Sequence, residues 1–271
     1  KLSCETVWDD EDKIDKLRST LKGIEGTSIV YFTLIKDLDR MAPLIKRAMD
    51  RPVEIYHGRL PPAERRRVYN QFINATPKEN LLLCATNAFG MGVDKSDLRS
   101  VIHAQLPGSV EAYHQEVGRA GRDGLPSMCK ILYAQSDLTI QQEFIRWQNP
   151  TADLIMQTMS AIEARFNHDD FDSDDLRIHV IGKGHAHGLG GGVMEYVLIR
   201  LAEYGAIELT PIPGNERGQG RYRYVRTIDD DEIEAEAIDE KLKRDLMRLL
   251  DVVNLTKSAD IPAYITEYFG L

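Results

Sequence analysis

Residues 81–95 read Leu-Leu-Leu-Cys-Ala-Thr-Asn-Ala-Phe-Gly-Met-Gly-Val-Asp-Lys. Five apolar residues in a row, Leu81 to Ala85, are too short for a buried helix and predict a strand covered on both faces, because a strand with one wet face would alternate. A hydroxyl, two glycines and a carboxylate follow at once. Working outward, the chain repeats this pattern of apolar strand and amphipathic helix. Residues 9–22 place Ile14, Leu17 and Leu21 at helical spacing and stop at Gly23, and Thr27–Thr33 is a β-branched and aromatic strand. Asp37–Met49 predicts a helix, Val53–Tyr56 a strand, and Pro61–Phe72 a helix with proline in its first turn. Beyond the opening stretch come strand Ser100–Ala104, helix Val110–Ala120 and strand Cys129–Tyr133. Such alternation gives an α/β fold, a parallel sheet with helices on both faces, in which ligands gather at the carboxyl ends of strands.

After Ala134 the strands stop. Asp137–Gln148 and Thr151–Phe166 predict two helices broken at Asn149-Pro150. Val193–Tyr204 then predicts a helix stopped by Gly205, and Ala206–Thr210 and Arg221–Arg226 are strands flanking a loop rich in proline and glycine. Helix, strand, loop, strand is the closing half of a winged helix. Glu232–Val253 is helical, and Tyr264–Leu271 closes the chain. The expected domains are 1–135 for the sheet, 136–170 for a helical connector, 171–229 for a winged-helix-like module and 230–271 for a C-terminal helical segment.

Charge divides along the same lines. Of 34 Lys and Arg against 43 Asp and Glu, residues 1–150 carry 21 and 20, so the net charge of −9 falls on the second half. Within that half, 177–226 holds seven basic and four acidic residues between two acidic borders. Arg221 and Arg223 fall on one face of the second strand and Tyr222 and Tyr224 on the other. A basic wing suits duplex phosphates and a tyrosine suits base stacking, while the same pattern also describes a surface strand with its tyrosines in the core.

The chain has 271 residues, 42% of them hydrophobic, which is enough for two or three cores. No apolar run approaches the roughly 20 residues of a membrane span. Cys4, Cys84 and Cys129 are scattered, so neither a disulfide framework nor a cysteine zinc site is expected, and a reducing intracellular setting fits. His179, His185 and His187 near a glycine loop are not expected to bind zinc. The first residue is Lys1 rather than Met, so the chain reads as a piece of something longer.

The chemistry concentrates in Tyr113-His114-Gln115-Glu116-Val117-Gly118-Arg119-Ala120-Gly121-Arg122-Asp123-Gly124. Two arginines three apart near a helix end project to one side, where permanently charged guanidinium forks grip phosphate oxygens. In phosphoryl transfer such an arginine neutralises charge on the departing phosphate. Gly118 and Gly121 would weaken an ordinary exposed helix and imply a close backbone approach. Thirty residues upstream, Thr86 and the backbone around Gly90 and Gly92 can hold a phosphate, and Asp94 can accept from a ribose hydroxyl.

Ala85–Lys95 and Gln115–Gly124 resemble motifs five and six of the RecQ family of ATP-dependent DNA helicases. Ile29-Val30-Tyr31-Phe32 followed by Lys36-Asp37 resembles motif four, and Tyr56-His57-Gly58-Arg59-Leu60 with Arg65 resembles the block after it. The resemblance covers about half the chain and implies a second RecA-like lobe. It implies Arg122 as the arginine finger on ATP, Arg119 as a second phosphate or coupling contact and Gln115 at the nucleotide interface. Asp94, Gly92 and Gly118 would border the nucleotide; Thr86, Asn87, His57 and Arg59 would lie along DNA, joined by Arg221, Arg223 and Tyr222 of the wing. Gly58-Arg59 departs from the family's usual Ala-Gly and makes Arg59 an added phosphate contact.

No Gly-x-x-x-x-Gly-Lys-Ser/Thr is present, and Gly182-Lys183-Gly184-His185 fails at the hydroxyl position. ATP and Mg²⁺ would therefore be held with a first lobe of the parent chain. Relatives usually carry a four-cysteine zinc module, whereas no cysteine follows Cys129, so no zinc is expected. The resemblance implies the C-terminal motor half of a 3′-to-5′ helicase acting on single-stranded and forked DNA in the cytoplasm or bacterial nucleoid. Two other readings remain: another superfamily-two helicase or translocase, and a non-catalytic DNA-binding or regulatory protein that kept half an ATPase.

Overall fold

In the computed structural model, which describes residues 1–90, 94–167, 169–180, 192–211 and 220–271, six strands lie parallel. They are β1 (Leu2–Thr6), β2 (Ser28–Phe32), β3 (Val53–Tyr56), β4 (Leu82–Thr86), β5 (Ser100–His103) and β6 (Met128–Tyr133), ordered β1-β6-β5-β2-β4-β3. The two uniformly apolar stretches take inner positions: every residue of β2 and β4 is buried, and they pair with Ser28 opposite Leu82 and Phe32 opposite Thr86. Full coverage on both faces is what near-continuous apolar strands require.

Helices α1 (Asp10–Leu21), α2 (Ile35–Ala48), α3 (Pro62–Asn74) and α4 (Val110–Val117) fill the connections. The Asp9 carboxylate accepts from Asp12 N to start α1, and the Ser109 hydroxyl accepts from Ala112 N to start α4. Leu17 and Leu21 of α1 and Leu38, Met41 and Ile45 of α2 share one core with Val30, Phe32, Leu82 and Ile102. Right-handed crossovers put α3 and α4 on the opposite face. The β4-to-β5 crossover on that face contains no helix among its described residues, 87–90 and 94–99, which form turns and irregular chain.

The chain forms two compact units, Lys1–Gln141 with Arg248–Leu271, and Gln142–Met247. Helices α5 (Gln135–Gln148) and α9 (Ala235–Lys257) carry the chain across that division. The last helix, α10 (Ile261–Phe269), belongs to the first unit. Its Tyr268 hydroxyl donates to Glu111 Oε1 at 2.9 Å, and the Phe269 ring lies 5.1 Å from that of His114, both partners being on α4. The second unit packs α6 (Ala152–Arg165), α7 (Ser173–Val180) and α8 (Gly192–Glu203) against an antiparallel pair, β7 (Ile207–Pro211) and β8 (Gly220–Tyr224). Ile155, Met159, Ile162, Phe171, Leu176, Met194, Val197 and Leu201 form its core.

Three elements differ from the sequence expectation. Strand β1, Leu-Ser-Cys-Glu-Thr, carries no apolar run because it is a half-exposed edge strand whose backbone pairs only with β6. Helix α7 is short and its acidic start reads as linker charge. Helix α4 ends at Val117 rather than Ala120, with Gly118 as its C-cap, so the two arginines leave the helix and ride on the turns that follow. None of the described helices is long and apolar enough to cross a membrane.

Candidate functional site

The predicted site residues of the first unit fall into two groups, set by which end of a strand delivers them. Thr86 closes β4 and Asn87 follows it, while His57 and Arg59 follow β3, so these four sit at the carboxyl ends of adjacent strands. Thr86 is buried and Asn87 and Arg59 are exposed. His57 is buried, its Nε2 3.3 Å from Asp39 Oδ1 of α2. A nest of rings joins the two loops: Phe89 is packed by Tyr56 at 4.8 Å, Phe72 at 5.3 Å and Tyr69 at 6.0 Å. Phe89 N donates to Thr86 O at 2.9 Å, and the Tyr31 hydroxyl donates to Phe89 O at 3.0 Å. The loop after β4 is thereby fastened from three strands.

The second group lies where residues 94–99 run beside the turns after α4. Arg122 Nη1 donates to Asp94 Oδ1 at 2.8 Å and Nε to Gly118 O at 3.3 Å, with 44% of the arginine side chain exposed. Arg119 is only 8% exposed, and a Cβ built on Gly90 would stand 3.5 Å from its Nη2, so this guanidinium is tucked against the loop after β4. That is an ordinary contact; the crowding a Cβ at 90 would meet is Asn87 O at 3.1 Å. Backbone bonds stitch the two segments together: Gly121 N donates to Leu98 O at 2.9 Å and Asp123 N to Ser96 O at 3.2 Å. Gln115 is exposed on α4, one turn before Arg119. Gly92 lies outside the described residues, as do His185 and His187.

Three side chains that sequence reasoning did not single out secure this arrangement. Arg99 bonds the Asp123 carboxylate and the carbonyls of Asp97 and Pro126, anchoring the arginine turns at their far end. Lys95, buried, donates to Ala75 O at 2.7 Å and pairs with Asp97 at 2.9 Å, which ties the crossover to the C-terminus of α3. His103 Nε2 lies 2.6 Å from Glu116 Oε2 on α4. Lys95 and Arg99 had as their signal in sequence placement within or just after the first motif, and His103 had none.

Gly121 sits at φ +68°, and a Cβ there would meet Leu125 O and Ser127 Oγ at 2.8 Å. Gly121→Ala is expected to cost about 1–3 kcal/mol in urea unfolding, from left-handed strain plus this clash, and to misplace Arg122 in the process. An unchanged midpoint would mean that the turn relaxes freely.

In the second unit Arg221 Nη2 donates to Asp170 O and to Asp175 Oδ2, the latter at 3.1 Å, and Arg223 Nε donates to Asp170 Oδ1 at 2.9 Å. Tyr222 is half-buried, its ring stacked 6.2 Å from Phe171. Alternation therefore holds, with arginines outward and tyrosines toward the core. Among the described residues no group of three or more His, Cys, Asp or Glu side chains is placed to hold a metal ion.

Residues 12–124, from α1 to the end of the arginine turns, match the helicase conserved C-terminal domain family. The chain is 37% identical over 169 residues to the probable ATP-dependent DNA helicase RecS of Bacillus subtilis, which is 62% of this chain and 34% of that protein. It is 44% identical over 117 residues to ATP-dependent DNA helicase RecQ of the same organism, 43% of this chain and 19% of that one. The chain thus spans about a third and about a fifth of these two relatives. Among solved structures, the yeast DEAD-box splicing factor Prp28 aligns over 54% of this chain and 32% of its own, at 20% identity and a TM-score of 0.46.

Proposed function

We propose that this chain, which carries a helicase conserved C-terminal domain and has RecQ-type DNA helicases among its relatives, is the C-terminal motor half of an ATP-dependent 3′-to-5′ DNA helicase. The observation that carries the reading is the stitched pair of segments, 94–99 and 118–124, with Arg119 tucked against the loop after β4 and Arg122 held on Asp94 at their rim. The exposed Arg122 guanidinium beside glycine backbone suits a triphosphate, Asp94 and Gly118 border it, and the buried Arg119 stands behind as the coupling contact. Gln115 lies one turn away. A first lobe of the parent chain supplies the other wall of the pocket and the ligands of Mg²⁺.

Single-stranded DNA runs across the carboxyl ends of β3 and β4, against Thr86, Asn87, His57 and Arg59. Closure of the lobes on ATP exchanges the Arg122–Asp94 pair for an Arg122–phosphate pair. Little opposes that exchange, because so exposed an ion pair is worth about 0–1 kcal/mol. Repeated closure advances the strand. Residues 1–135 serve as the lobe, 136–170 as connector, 171–229 as the winged-helix-like DNA module and 230–271 as the closing helices.

The test is ATP turnover by the full-length protein with and without a single-stranded oligonucleotide. Strong stimulation by DNA is expected; DNA binding without turnover would favour the non-catalytic reading. For the wing, removing Arg221 and Arg223 together is expected to weaken duplex binding and to reduce the slope of log affinity on log salt by about 2, as two phosphate contacts would. An unchanged slope would confine both arginines to their pairs with Asp170 and Asp175.

A further inference from the structure

His103, the last residue of β5, is 2% exposed and sits between two tyrosines, its ring 5.5 Å from that of Tyr31 and 5.2 Å from that of Tyr113. A phenylalanine would fill that space without the cost of burying polar atoms. The imidazole instead meets Glu116 at 2.6 Å, and since a carboxylate only accepts, Nε2 carries the proton. Nδ1 is buried and has no hydrogen-bond partner among the described residues. The ring's whole polar commitment is to α4.

Each neighbour leads to one half of the site. Glu116 lies three residues before Arg119 and six before Arg122, one residue inside the end of α4. On the other side, Tyr31 packs its ring at a tilt against His103 and gives its hydroxyl to Phe89 O in the loop after β4. An unbroken series of contacts thus runs from that loop through β2 and β5 to the last turn of α4. A buried pair that adds little to net stability while fixing one geometry is the pattern expected of a register device.

We propose that His103 is a positioning residue that sets α4, and with it Arg119 and Arg122, against the loop Thr86–Gly90, so that DNA held by that loop governs where the arginines stand. This rests on the motor reading above. His103 touches neither DNA nor ATP and acts through Glu116 and Tyr31.

The test uses the full-length protein and steady-state ATP turnover, with and without a saturating single-stranded oligonucleotide. His103→Phe keeps the ring contacts and removes the donor; it is expected to lower DNA-stimulated kcat about tenfold, within the range by which residues between two sites alter their coupling. KM for ATP and the Kd for the oligonucleotide should stay within about twofold on the same argument. His103→Gln, which restores a donor, should recover most of the loss. Glu116→Ala combined with His103→Phe should be no worse than the more damaging single change, since both break one contact. Stimulation of His103→Phe equal to wild type overturns the proposal, and so does a loss that His103→Gln shares in proportion to its fall in melting temperature, because that is a purely structural role. A wild-type protein that DNA does not stimulate removes the motor reading and this proposal together, which separates the two failures.

Discussion

Arg122→Ala in the full-length protein is expected to lower DNA-stimulated ATP hydrolysis by about 10³ to 10⁵, the range an arginine finger supplies in phosphoryl transfer. That corresponds to roughly 4–7 kcal/mol of transition-state stabilisation. ATP binding should change little, because the finger acts on charge that appears only as the γ-phosphate departs. Stability should also hold, since the one ion pair lost, with Asp94, is exposed. Arg122→Lys should recover only a small part, as an ammonium lacks the planar fork. Single-turnover hydrolysis beside equilibrium binding of a nucleotide analogue makes the measurement. Normal turnover by the alanine variant would refute the finger assignment, and a matched loss of nucleotide affinity would make Arg122 a binding residue instead.

Phe89→Ala is expected to be the most damaging single change to stability near the site, at about 3–5 kcal/mol for deleting a buried aromatic. Phe89 is 1% exposed and packs against the rings of Tyr56, Tyr69 and Phe72, the last meeting it edge-on at 90°. Tyr56 belongs to β3, Tyr69 and Phe72 to α3, and Phe89 to the loop that carries Thr86 and Asn87. Emptying that nest unfastens the loop as well as the core. Chemical denaturation with tryptophan fluorescence gives the stability, and affinity for a single-stranded oligonucleotide at a temperature where the variant remains folded gives the second readout. Phe89→Leu, which keeps most of the volume, should restore stability more than affinity. Equal recovery of both would mean that the rings hold the loop by bulk alone.

How far the fold was legible depends on how each residue is buried. Strands β2 and β4 announce themselves because every side chain is covered, so 29–32 and 82–85 are apolar without a break. Strand β1 does not, because at the edge its backbone does the pairing and Ser3 and Glu5 can remain. Within the site, Arg119 and Arg122 were legible as a spaced pair of cations, but their different environments were not: Gly118 ends α4 early, leaving one guanidinium tucked in and the other at the rim. Arg99, Lys95 and His103 were invisible as functional side chains because each works through a distant partner, Asp123, Ala75 and Glu116, that only the folded chain brings near. The wing arginines show the reverse. Their alternation was correct, and the carboxylates that occupy them, Asp170 and Asp175, lay in a stretch that reads as solvated linker.

Because α10 and the end of α9 rejoin the sheet after roughly a hundred residues of intervening chain, the lobe is finished late on the ribosome. At about 5–20 residues per second, roughly 7–30 seconds separate the emergence of the end of α4 from that of α10, which packs on it, and the interval from β1 is longer still. During that interval α4 and β1 lack the contacts α10 will make with them, which makes nascent polypeptides stalled before residue 261 the species in which these two surfaces are most exposed to chaperone capture.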